Sequence, residues 1–284
     1  KVHDREVLTN YIGELLQHDT SHHQWSPLIE DKWYLITTID DHSRKLLYAE
    51  LWEKESSWAH IASSNTVSMC FGCASKYYVD NHSIFRYVEK RDKTGRKFQT
   101  TEEEAFVQWK EVLKDLHVEV TYAMSPAAKG KIERPYRWLQ DHIVRICARD
   151  GIKTIDEVRE VLYHEVWLYN TKRVHSTTGE IPDIRFEKAL QDGRSLFRQF
   201  EIRKPFLTPQ DIFCYRMKRT TDAYRRISIN NITLAVPASS PHWQIELRIS
   251  FNLKSAMALI RFWYNDRFLG QQEVKSSDLK GVQF

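Results

Sequence analysis

The first 80 residues alternate in an order that few folds accommodate. Residues 13–19, Trp33–Asp40 and Leu46–Trp52 are short runs rich in apolar, aromatic and β-branched residues, and they read as strands. Asp41-His-Ser-Arg-Lys45 separates the second from the third, which fits a hairpin. Residues 56–71 read as a helix closed by Gly72, and Lys76-Tyr-Tyr-Val-Asp80 as a fourth strand. The charged stretch 86–100, with Gly95, reads as an inserted loop. Thr101-Glu-Glu-Glu104 offers an N-cap and an acidic first turn for a helix to about Leu116, before a fifth strand at Val118–Met124.

A long helix is expected from about Lys131 to Arg149, where Ile132, Tyr136, Leu139, Ile143 and Ile146 recur at helical spacing. Pro135 fits only a first turn, so the helix is expected to start close to Lys131 and to carry Glu133 in that turn. Thr154-x-x-Glu157 is a capping box for a further helix ending near Asn170. Residues 172–210 hold Gly179, Pro182, Gly193, Pro205 and Pro209, and read as irregular chain with one short helix near 183–191. Beyond them the period changes: 226–230, 232–236, 244–251 and 256–264 read as short strands of a small all-β barrel or sandwich. The expected division is a lead-in at 1–12, a catalytic core at 13–190, a connector at 191–210 and a β-barrel at 211–284.

Three acids stand at places that such a fold brings together. Asp19 and Asp80 each end an apolar strand run, and Glu133 opens the long helix. Three carboxylates at one point repel unless divalent metal lies between them, and this is the ligand set of two-metal phosphodiester chemistry. Hard oxygen ligands select Mg²⁺ or Mn²⁺, two ions per site. Around the acids, Lys129, Lys131, Arg134, Arg137 and His82 are candidates for contact with phosphate. Asp40 and Asp41 are also acids at a strand end, and read as turn formers or partners of Arg44.

Charge is unevenly spread. The chain has 42 Lys and Arg against 38 Asp and Glu, but residues 201–284 hold 13 basic and 7 acidic residues. A basic C-terminal part attached to an acid-bearing core suits a polyanion, with Arg225, Arg226, Arg248 and Arg261 as the expected backbone contacts and Trp263 more suited to the β core. Cys70, Cys73, Cys147 and Cys214 read as buried free thiols of a reducing, cytoplasmic setting. No apolar run reaches membrane-spanning length, and no signal peptide is recognisable. The chain begins at Lys1 rather than Met, so a further N-terminal part, carrying end recognition, is expected to precede it.

Four patches in order resemble the integrase core of the DDE transposases and retroviral integrases, a ribonuclease H-like fold. They are Ile39-Asp-Asp-His-Ser-Arg44, Phe71-Gly-Cys-Ala-Ser-Lys-Tyr-Tyr-Val-Asp-Asn81, Ser125-Pro-x-x-Lys-Gly-x-x-Glu133, and Tyr169-Asn-x-x-Arg-x-His175 followed by Gly179 and Pro182. The C-terminal segment resembles the small β-barrel appended to many bacterial transposases. The resemblance covers roughly residues 10–185 and implies a mixed five-stranded sheet with helices. It implies Asp19, Asp80 and Glu133 as catalytic metal ligands, and cleavage of double-stranded DNA at element ends. Transfer of the freed 3′-hydroxyl into target DNA would follow, within a homo-oligomeric synaptic complex in the bacterial cytoplasm.

Two departures from the family pattern stand out. His82 replaces the usual Gly after Asn81, and 52 residues lie between Asp80 and Glu133. The extra length is assigned to the 86–100 insertion, and Glu102, Glu103 and Glu104 are the rival third ligands. A nuclease of the same fold that does not join strands, and a DNA-binding protein that has lost catalysis, are the alternative functions.

Overall fold

In a computed structural model, residues 9–79, 90–91, 97–98, 101–122, 130–229, 232–252 and 255–279 are described, with backbone alone at 90–91, 97–98, 101–107 and 130–135. The elements of the first part are β1 (Leu15–His23), β2 (Trp33–Asp40), β3 (Leu46–Trp52), α1 (Ser57–Cys70) and β4 (Lys76–Val79). Two two-residue strands, β5 (Lys90–Arg91) and β6 (Lys97–Phe98), pair with each other within the expected insertion. Then come α2 (Thr101–Asp115), β7 (Glu119–Tyr122), α3 (Gly130–Asp150), α4 (Ile155–Thr171) and α5 (Pro182–Gln191).

The main sheet has the order β3-β2-β1-β4-β7. Its first three strands are antiparallel, and β4 and β7 continue it in parallel from β1. This is the ribonuclease H-like arrangement that the sequence implied. The β2–β3 turn holds because Asp40 accepts from Ser43 N (2.8 Å), Ser43 Oγ (2.6 Å) and Gly13 N (2.8 Å), while Asp41 pairs with Arg44 at 2.8 Å. Burial raises the Asp40 carboxyl above its ordinary range, against the three donors that lower it. The capping box before α4 forms as expected: Glu157 N donates to Thr154 Oγ1 at 3.4 Å, and Thr154 N to Glu157 at 3.1 Å.

One core cluster joins Trp25, Leu35, Ile39 and Leu51 of the hairpin region to Tyr136, Leu139, Ile143 and Cys147 of α3 and Val158, Leu162 and Tyr169 of α4. The buried stripe of α3 thus ends on Cys147 rather than Ile146, which is half-buried. Burial pushes the Cys147 thiol up to about 11, so it packs as a small apolar group. Cys73 and Cys214 are buried as expected, but Cys70 is exposed at the end of α1. Pro135 stands sixth in α3, one turn deeper than its chemistry favours. It has no N–H to offer the carbonyl four residues earlier.

The core runs further along the chain than its expected end at residue 190. Ile12 N donates to Arg194 O (3.1 Å) and Leu196 N to Ile12 O (2.8 Å), while Cys73 and Arg198 exchange both backbone bonds at 2.7 and 2.9 Å. Two glycines permit this approach. A Cβ on Gly13 would lie 2.7 Å from the Phe197 ring, and one on Gly72, at φ +100°, would lie 2.5 Å from Arg198 O.

Contacts divide the chain into two compact units. The first comprises 1–55, 63–103 and 117–200; the second comprises 56–62, 104–116 and 201–284. The second unit adds β8 (Tyr215–Thr220), β9 (Arg226–Ile229), β10 (Ile232–Ala235), β11 (Gln244–Asn252), β12 (Met257–Tyr264) and β13 (Arg267–Lys275). They make a four-stranded antiparallel sheet, β13-β12-β11-β8, and a β9–β10 hairpin. Ile227, Ile229, Leu247, Ile249, Ile260 and Phe262 fill their shared core. Among the described residues no ladder closes these strands into one ring. The α2 stretch belongs here because Gln108 brackets Arg216, donating to its carbonyl and accepting from its N–H, both at 2.8 Å.

Candidate active site

Asp19 does not end its strand. It is fifth of nine residues in β1, because Thr20–His23 continue the ladder against Trp33–Ile36. The paired aromatics explain the extension: His22 stacks on Tyr34 at 4.1 Å, and His23 meets Trp25 edge-on at 5.3 Å. Asp19 is half-buried and faces Thr37 of β2 in register.

The helix α3 is fixed against this point. The Tyr136 hydroxyl and Thr37 Oγ1 share a buried hydrogen bond of 2.7 Å, and Gln140 Nε2 donates to Ser21 Oγ at 3.0 Å. Tyr136 and Gln140 are one turn apart on one helix face; Asp19 and Ser21 are two apart on one strand face. Burial, and after it the negative charge of Asp19, hold the Tyr136 phenol well above its ordinary value. It therefore stays protonated. The sequence showed Tyr136 only as a core position; its hydroxyl contact needed the β1–β2 register. Tyr136→Phe is expected to cost about 1–2 kcal/mol by removing the partner of a buried hydroxyl, measured by urea unfolding.

The parallel ladder from β1 to β4 runs Leu15↔Lys76, Leu16↔Tyr77 and Gln17↔Tyr78. Asp80, His82, Lys129 and the side chains of Lys131, Glu133 and Arg134 lie outside the described residues, as do the side chains of Glu102, Glu103 and Glu104. Among the described residues no three acidic, His or Cys side chains gather as metal ligands. Arg137 is exposed on α3.

The last family-like patch is structural. Asn170 accepts from Leu46 N (3.0 Å) and donates to Leu46 O (2.9 Å), locking α4 to strand β3. His175 is buried, and its Nδ1 accepts from Thr177 N at 3.2 Å.

In the second unit Arg225 and Arg226 are exposed. Arg248 and Arg261 are not available as phosphate contacts, contrary to the sequence expectation: they are 7% and 5% exposed and turned onto Asp211. Arg261 Nε donates to Asp211 Oδ1 at 2.6 Å, Trp263 Nε1 donates to the same oxygen at 3.0 Å, and Arg248 Nη1 donates to the Asp211 carbonyl. Leu207 N and Thr208 N donate to Oδ2, both at 2.9 Å. Alternation in a strand shows which residues share a face. It does not show that Asp211 gives its buried carboxylate to Arg261 and its carbonyl to Arg248, which pairs with Glu246 at 2.7 Å.

The chain is similar to known proteins. It is 29% identical over 168 residues to y4bF of Sinorhizobium fredii strain NGR234, a protein named as a transposase, covering 59% of this chain. It is 25% identical over 170 residues, 60% of this chain, to the transposase for insertion sequence IS1202 of Streptococcus pneumoniae. Both relatives carry the name of a transposase. The chain spans 35% of the length of each of these relatives. No family model matches it. Among solved structures, the catalytic core domain of the HTLV-2 integrase in complex with magnesium aligns with 64% of this chain and 99% of its own. Its identity is 16% and its TM-score 0.45. No helix of the described residues is long and apolar enough to cross a membrane.

Proposed function

We propose that this chain carries the catalytic part of a DNA transposase, with Asp19, Asp80 and Glu133 as its metal ligands. The observation that supports this best is the clasp of α3 on β1. Tyr136 reaches the residue opposite Asp19, and Glu133 stands three residues earlier, on the same helix face. In sequence, Asp80 follows Tyr78 by two residues as Asp19 follows Gln17, the same offset from the last pair of the β1–β4 ladder. Convergence of all three is the reading that these two alignments favour over the Glu102–Glu104 alternative.

The donor set fits the ion. Asp19 is a half-buried carboxylate on a rigid strand, and three carboxylates offer only hard oxygens, which suit Mg²⁺ or Mn²⁺ rather than zinc. Two such ions, when bound, would activate the attacking oxygen and stabilise the leaving one. The chain's own part is to hold the carboxylates at fixed separation. The buried Tyr136–Thr37 bond and the Gln140–Ser21 bond tie α3, the helix that carries Glu133, to the strands that carry and face Asp19. Lys129, Lys131, Arg134, Arg137 and His82 would bind phosphates flanking the scissile bond, and Arg225 and Arg226 would hold DNA more remotely.

The test is incubation with DNA carrying the element ends, a plasmid target and Mn²⁺. Nicked ends together with joined products support the proposal. Nicks alone leave a nuclease, and binding without nicks leaves an inert DNA-binding protein.

A further inference from the structure

The β8–β9 loop carries the most exposed large hydrophobic side chain among the described residues, Tyr224, at 77%. The backbone that carries this ring is closely bonded. Asp222 accepts from Tyr224 N at 2.8 Å, from Arg226 N at 2.8 Å and from Arg226 Nε at 3.1 Å. Asp222 N donates to Arg226 O at 2.8 Å, and Val236 N to Arg225 O at 2.9 Å. Thr221, buried at the loop's base, bonds Ser240 O and Trp243 O through its hydroxyl at 2.8 and 3.3 Å. The Arg226 guanidinium lies 4.8 Å from the centre of the Tyr224 ring. The loop therefore presents an aromatic face with its backbone already ordered and a cation against it.

The surroundings are those of a polyanion contact. Arg225 and Arg226 flank the ring and are exposed. The register Thr220↔Gln244 and Glu246↔Trp263 puts this loop at the same end of the sheet as the β12–β13 turn, where Arg267 is exposed. A polar cleft of about 290 Å³, lined among others by Lys218, Gln244, Asn265 and Asp266, opens at that end. Amides and charges of both signs can meet the edge of a base, which a purely cationic groove would not do.

We propose that Tyr224 is a stacking platform for an unpaired nucleobase of bound DNA, with Arg225 and Arg226 holding the adjoining phosphates. This rests on the reading of the second unit as DNA-binding. With the backbone beneath it already ordered, the ring adds little backbone entropy loss on stacking, and every base offers a π face, so the contact is tolerant of sequence. A paired base inside a duplex has both faces occupied, so the preference is for single strands or frayed ends.

The experiment uses the full chain and a labelled short single strand, with the same sequence as a blunt duplex, followed by anisotropy at several salt concentrations. Tyr224→Ala is expected to weaken single-strand binding about 5- to 150-fold, the range for loss of one stacked base. Its salt slope should not change, since no charge is removed. Tyr224→Phe should keep wild-type affinity, and the duplex should be little affected. Joint Arg225→Gln and Arg226→Gln should weaken both forms and flatten the slope. Unchanged single-strand affinity in Tyr224→Ala overturns the proposal, and so does an equal loss on both forms. If the wild-type chain binds neither, the DNA-binding reading falls before the question of stacking arises. An unaltered thermal midpoint in each variant shows that the loop change has not unfolded the sheet.

Discussion

Asp19→Asn is expected to reduce strand cleavage by more than about 100-fold, beyond the 10- to 100-fold typical of losing a group that only supports a metal ligand. The substitution keeps shape and removes one negative charge from a site where three carboxylates are proposed to meet. It should therefore leave the metal-free protein at least as stable as before, because like-charge repulsion falls. It should also remove stabilisation by metal. Wild-type protein should melt at a higher temperature with Mn²⁺ than without, since a ligand bound only by the folded state stabilises it, and the Asn variant should show no such rise. The same two measurements identify the third ligand: Glu133→Gln should behave like Asp19→Asn, while joint replacement of Glu102, Glu103 and Glu104 should leave both readouts nearly intact. Normal cleavage by Asp19→Asn would remove Asp19 from the site. Loss of cleavage with the metal-induced rise preserved would mean that it acts without binding metal.

Asp211→Asn should have the largest effect on stability, about 3–5 kcal/mol, because it leaves buried guanidinium without its counter-charge. Burial alone would raise the Asp211 carboxyl. The Arg261 hydrogen bond, the Leu207 and Thr208 N–H groups and the Arg261 charge outweigh it and hold the carboxyl below its ordinary value. The sign follows from that direction. A carboxylate depressed in the folded state contributes fully above its unfolded value, near 3.9, and this contribution is lost as pH falls below it. Wild-type protein should thus lose stability on acidification below about pH 4, and Asp211→Asn should start lower and respond less. In a double-mutant cycle, adding Arg261→Gln should cost much less than it does alone. Urea melts across that pH range would expose an additive result, which would mean that the two side chains do not share one interaction.

Much of the core could be read from local chemistry. The hairpin strands Trp33–Asp40 and Leu46–Trp52 have matching bounds in sequence and structure because a polar turn limits them on one side and a charged stretch on the other. The Thr154–Glu157 capping box marks its helix because the signal is a pair of residues at fixed spacing. Other elements were not legible. Strand β8, Tyr-Arg-Met-Lys-Arg-Thr, is half charged, and β13, with Gly270 in its interior, has little apolar alternation; both are held by neighbours rather than by their own propensity. Asp19 reads as a strand end because the apolar run stops there, whereas pairing of Thr20–His23 with Trp33–Ile36, with His22 stacked on Tyr34, carries β1 four residues further. Arg261 looks like an exposed cation because its acid, Asp211, lies 50 positions away in the chain, and Arg248 because the Asp211 carbonyl that it also reaches lies 37 positions away, although its own acid, Glu246, is two residues off.

The bonds that tie Ile12 to Arg194 and Leu196 also mean that the core begins and ends at one spot. Its entry and exit strands lie side by side, as the two ends of a closed loop do. Joining them by a short link would cost little closure entropy, and a host chain could receive the whole core at a single surface turn without being pulled apart.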